Sequence, residues 1–111
     1  MVLHPALPSC PGHEVWKRDF TGSSGLFALV LKDGYSDEAV AAMLDGLDLY
    51  AMGFSWGGFE SLIIPANLSG SRTAAPWPHK GQVLRIHAGL EDVDDLIADL
   101  EKGLERLNAQ A

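Results

Sequence analysis

One cysteine in 111 residues, Cys10, leaves no partner for an intrachain disulfide and excludes a four-thiolate zinc site. It sits between Ser9 and Pro11 with no base beside it to favour the thiolate, so it reads as a bystander rather than a nucleophile. Basic residues are also scarce: eight Lys and Arg face fifteen Asp and Glu, for a net charge of −7. Binding to a polyphosphate backbone needs clustered cations that displace counterions, so nucleic acid is not an expected partner. No apolar run reaches the roughly 20 residues of a membrane helix. Met1–Pro11 lacks the basic-then-apolar order of a signal peptide, and a cytoplasmic protein is expected. The four histidines, at 4, 13, 79 and 87, show no His-x3-His or Cys/His spacing, so no metal site is expected.

What is present suits one folded domain. Hydrophobic residues make up 47% and charged residues 21%, an ordinary globular balance at a length that fits a single core. Prolines at 5, 8 and 11 limit the first segment, Val2–Pro11, to an edge strand and loop. Val15, Trp16 and Phe20 are spaced for a short helix over His13–Phe20. Gly25–Lys32 is a continuous apolar run ended by Asp33-Gly34, as in a buried strand. Ser36 then offers an N-cap to a helix over 37–48, with Val40, Met43, Leu44 and Leu47 on one stripe.

Two further strands are expected, Ala51–Ser55 and Glu60–Pro65, joined by a turn at Trp56-Gly57-Gly58. Residues 67–81, rich in Ser, Gly, Pro and Ala, form a surface loop. Val83–Ala88 reads as a strand. The acidic run Glu91–Asp95 then opens a last helix, read as a solvated N-terminus favoured by the helix dipole. Its apolar stripe is Val93, Leu96, Ile97, Leu100, Leu104 and Leu107. Strands and helices do not alternate regularly, so the expected class is α+β: a small antiparallel sheet of about four strands, covered by helices on one face.

Two features could carry chemistry. Arg85 lies inside the apolar strand Val83-Leu84-Arg85-Ile86, where an unpaired guanidinium is costly to desolvate. Its planar fork suits a carboxylate, either internal (Glu60 or Asp19) or from a ligand, and the pattern by itself favours the internal pair. In Ser55-Trp56-Gly57-Gly58, a hydroxyl, an aromatic plate and two glycines could cradle an anion through backbone N–H groups. The plainer reading is a tight hairpin turn with Trp56 capping the core.

Taken together these stretches resemble a known family. They are His4-Pro5-Ala6-Leu7, Pro11 through Phe20, Ser24 through Phe27, Gly53 through Leu62 and Leu84 through Leu96. They are similar to the C-terminal domain of the Cys/Met-metabolism family of fold-type I pyridoxal-phosphate enzymes, and Trp56 after Ser55 matches its cystathionine β-lyase branch. The resemblance covers nearly the whole chain apart from the 67–81 loop. It implies that Arg85 grips the α-carboxylate of an amino-acid substrate, with Ser55 and Trp56 adding contacts. Phe54 and Phe59 stand where close relatives carry tyrosines.

The resemblance also implies that the lysine that binds pyridoxal phosphate covalently belongs to a large upstream domain. Lys17, Lys32, Lys80 and Lys102 stand in no Ser-x-Thr-Lys motif, so none is expected to hold the cofactor. Residues 1–111 are then expected to be one C-terminal domain, inactive alone. The parent would be a homo-oligomeric lyase that splits cystathionine to homocysteine, pyruvate and ammonia. Rival readings are a free-standing amino-acid-binding or regulatory module, and a related enzyme acting on cysteine S-conjugates.

Overall fold

The computed structural model describes residues 1–110. Four strands and three helices follow in the order β1 (Val2–Leu3), α1 (His13–Asp19), β2 (Leu26–Val30), α2 (Asp37–Asp45), β3 (Leu62–Ala66), β4 (Val83–His87) and α3 (Val93–Ala109). The strands form one antiparallel sheet in the order β1-β2-β4-β3. The expected α+β class is therefore the observed one. Pro65 is tolerated because β3 is an edge strand.

Side chains alternate across a strand, so β4 divides cleanly. Leu84 and Ile86 join Ile63 of β3 in a fully buried layer beneath α2 and α3, which contribute Val40, Met43, Leu44, Leu96 and Leu107. Arg85 and His87 lie on the opposite face. Arg85 is paired across the sheet with Ala28 and Ile64, and His87 with Leu26 and Leu62.

The helices begin where the sequence places them. Ser36 Oγ accepts from the Ala39 N–H at 3.1 Å, and Asp92 accepts from the N–H groups of Asp94 and Asp95. The ends depend on tertiary contacts. α2 stops at Asp45 rather than 48 because buried Asp99 of α3 takes the N–H groups of Asp48 and Leu49, at 2.9 and 2.8 Å. Arg106, also on α3, donates to the Ala42 and Met43 carbonyls near the end of α2. The apolar stripe of α3 is narrower than its spacing suggests, since Val93 and Ile97 are 64% and 52% exposed.

The hairpin expected from Ala51–Ser55 and Glu60–Pro65 does not form. Ala51 makes a single parallel bridge to Leu62, and the chain from Met52 to Gly58 runs over the open face of the sheet as irregular structure. Side chains of β4 take the backbone groups that a paired strand would have used.

Candidate functional site

Arg85 rises from the middle of β4, half-buried, on the face away from α2 and α3. One terminal guanidinium nitrogen donates to the carbonyl of Phe54. Its remaining N–H groups have no acceptor among the described residues. Both internal carboxylates considered for it are ruled out. Asp19 is held by Arg18 through two hydrogen bonds of 2.7 and 2.9 Å, which keep its carboxyl below the ordinary range. Glu60 is exposed and forms no ion pair among the described residues. A fork with five donors is thus mostly unused, on the open face of the sheet where an incoming carboxylate could meet it.

The segment carrying Ser55 and Trp56 is tied to the same face. Trp56 is 61% exposed, so it does not cap the core. Gly57 has φ +82°, a conformation that side-chain-bearing residues rarely adopt. Its N–H is not turned out toward a ligand as the cradle reading expected; it donates to Nδ1 of His87 at 3.4 Å. His87 Nε2 lies 2.9 Å from the Gly58 carbonyl. The histidine spacing drew attention only to metals and passed over this role. The signal was nevertheless present, because His87 stands two residues after Arg85 in an alternating strand and must share its face.

A second network anchors the end of β4. Ser61, 1% exposed, donates its N–H and its hydroxyl to the Glu91 carboxylate at 3.1 and 2.6 Å, and its Oγ accepts from the Gly89 N–H. The Ser61 hydrogen bonds hold the Glu91 carboxyl below the ordinary glutamate range. Glu91 is therefore a structural acceptor rather than part of a merely solvated acidic run. The Leu90 N–H also bonds the Phe59 carbonyl, which closes the loop on itself. Phe54, Trp56, Phe59 and Leu90 leave an apolar rim around the Arg85 face, each more than half exposed.

All four lysines, 17, 32, 80 and 102, are exposed, and none takes part in the hydrogen bonds around Arg85. Clefts along the 66–69 and 77–83 segments, beside α2 and between Val30–Asp33 and Pro78–Gly81 do not include Arg85, Ser55 or Trp56. Among the described residues no helix is long and apolar enough to cross a membrane.

The four-stranded antiparallel sheet with its helices matches a domain of a fold-type I pyridoxal-phosphate enzyme. The sequence profile of the Cys/Met metabolism PLP-dependent enzymes matches residues 1–105, and the chain belongs to that family. It is 52% identical over 109 residues to a cystathionine beta-lyase of Escherichia coli (strain K12), covering 96% of this chain and 28% of that protein. It is 46% identical over 107 residues to an L-alanine/L-glutamate racemase of Wolbachia pipientis wMel, covering 96% of this chain and 27% of that protein. The fold superimposes on a cystathionine gamma synthase of Xanthomonas oryzae pv. oryzae, solved in complex with cystathionine. There the TM-score is 0.82 and the identity 33%, over 100% of this chain and 30% of that one. The chain thus spans less than a third of the length of these relatives.

Proposed function

We propose that residues 1–111 are the C-terminal, substrate-carboxylate-binding domain of a pyridoxal-phosphate-dependent carbon–sulfur lyase. The enzyme is cytoplasmic and homo-oligomeric, and splits cystathionine to homocysteine, pyruvate and ammonia. The observation that carries this is the half-buried side chain of Arg85, whose guanidinium gives one bond to the Phe54 carbonyl, leaves its other donors unused and has no carboxylate in reach among the described residues. An amino-acid carboxylate matches the planar fork and supplies an acceptor for the unused donors. Ser55 and Trp56, held beside Arg85 by the Phe54 carbonyl contact, add a hydroxyl and an aromatic plate to the same grip. The 52% identity to a cystathionine beta-lyase supports the choice of substrate.

Pyridoxal phosphate, held by the remainder of the enzyme, supplies the electron sink for breaking bonds at the substrate carbons. The part of this chain is orientation. Two parallel N–H···O bonds from Arg85 fix the carboxylate plane and, with it, the direction of the Cα–H bond and of the leaving sulfur. By itself the chain binds but does not catalyse.

The test is Arg85→Ala in the full enzyme with L-cystathionine as substrate. Loss of a desolvated charge-assisted contact costs about 2–4 kcal/mol, a fall of roughly 30- to 1000-fold in kcat/KM. An unchanged kcat/KM, with an unchanged cofactor spectrum, would remove the carboxylate assignment.

The identity to an L-alanine/L-glutamate racemase favours one second reading, since a grip on the carboxylate serves racemisation equally well. Formation of D-alanine from L-alanine by the full enzyme, without release of pyruvate from L-cystathionine, would select it.

A further inference from the structure

The stretch from Met52 to Gly58 carries Ser55 and Trp56, yet almost nothing within it holds its shape. Among the described residues its backbone makes three hydrogen bonds, and all three go to two side chains of β4: Phe54 carbonyl to Arg85, Gly57 N–H to His87 Nδ1, and Gly58 carbonyl to His87 Nε2. Neither the Ser55 hydroxyl nor the Trp56 indole nitrogen has a partner in this set. A backbone N–H can only donate, so Nδ1 of His87 is the acceptor, and the ring proton resides on Nε2, where it donates to Gly58. His87 is 7% exposed, and its ring bridges the N–H of Gly57 and the carbonyl of Gly58 within one turn.

We propose that His87 is a positioning residue for the substrate grip. Its two nitrogens fix the Gly57–Gly58 turn, and Arg85 fixes Phe54. Ser55 and Trp56, between these two anchors, are thereby presented to the carboxylate in one arrangement. Without the histidine the Gly57–Gly58 turn loses both of its own bonds, and Ser55 and Trp56 are held only by Phe54 on one side and by the Phe59 carbonyl beyond the turn. The segment then samples several arrangements, and a bound substrate must select one of them. The inference rests on the carboxylate reading of Arg85 and extends it to a residue that touches no substrate.

The experiment uses the full holoenzyme with L-cystathionine, reading kcat, KM, the cofactor absorption spectrum and thermal stability for four variants beside Arg85→Ala. His87→Ala removes both contacts. His87→Gln can keep a donor for Gly58, and His87→Asn an acceptor for Gly57. Gly57→Ala disturbs the same turn without touching the ring, since a Cβ there meets no atom within 4 Å and is opposed only by the positive φ. His87→Ala and Gly57→Ala are expected to raise KM about tenfold while kcat falls less than about threefold and the cofactor spectrum is unchanged. His87→Gln and His87→Asn are expected between wild type and His87→Ala.

Impaired Arg85→Ala beside His87→Ala and Gly57→Ala with KM within about twofold of wild type would overturn the role of His87 and leave the carboxylate reading standing. So would losses that disappear when activity is normalised to the folded fraction. An unimpaired Arg85→Ala would overturn both. If His87→Ala yields no folded enzyme, His87→Gln and Gly57→Ala decide by the same KM criterion.

Discussion

Glu91 and Ser61, thirty residues apart, are joined by two hydrogen bonds into one carboxylate, from the serine N–H at 3.1 Å and its hydroxyl at 2.6 Å. The bonds tie the start of β3 to the chain leaving β4, and so set the mouth of the Arg85 face. Gly89 completes the joint. Its N–H donates to Ser61 Oγ, and a Cβ there would collide with the Phe59 carbonyl.

The first prediction concerns acid. The Ser61 hydrogen bonds lower the Glu91 carboxyl, so the folded protein binds that proton less readily than the unfolded chain does. Stability from this group is complete above the ordinary glutamate range and is lost as pH falls through the lowered folded value. Urea midpoints measured between about pH 3 and pH 6 should fall less steeply with acid for Glu91→Gln than for wild type. Parallel pH profiles would show that Glu91 does not contribute.

Asp99 should matter more than its place on a helix suggests. Its carboxylate is buried and receives two N–H groups from the turn after α2. Asp99→Ala leaves both unpaired and should cost about 2–3 kcal/mol, and Asp99→Asn, which keeps one acceptor, should cost less. Thermal melts of the two variants would check both the size and the order of the losses.

Arginine at position 85 should not be replaceable by lysine. A lysine ammonium provides charge but no planar fork, so Arg85→Lys should recover no more than a small part of the kcat/KM lost in Arg85→Ala. Full recovery would mean that charge alone suffices and that the bidentate geometry is unimportant.

Borohydride reduction of this chain with pyridoxal phosphate should give no stoichiometric adduct at a single lysine. All four lysines are exposed and none is placed with Arg85 or His87. Peptide mapping that found one fully modified lysine would place the cofactor's anchor within this chain and undo the division of labour proposed for it.

Local chemistry was enough to locate most elements. An N-cap oxygen reaches an amide two or three residues on, as at Ser36 and Asp92, and an apolar run such as Leu26–Val30 declares a strand wherever it pairs. Arg85 stood out for a similar reason, because a guanidinium in an apolar strand is anomalous on its own terms. Its family setting came from matching stretches spread along the chain, which the profile match over residues 1–105 supports.

Long-range partners were decided by tertiary structure alone. Whether Arg85 meets Asp19, Glu60 or a carbonyl depends on which segment crosses β4, and the answer, Phe54, lies 31 residues away. The Trp56-Gly57-Gly58 turn signal suggested a hairpin. The chain instead lies flat on the sheet because Arg85 and His87, sharing one face of β4, bond its backbone from below. α2 likewise ends early because Asp99, about fifty residues on, captures the next amides. Periodicity and capping act within a few residues, whereas these contacts exist only once strand register and helix packing bring distant residues together.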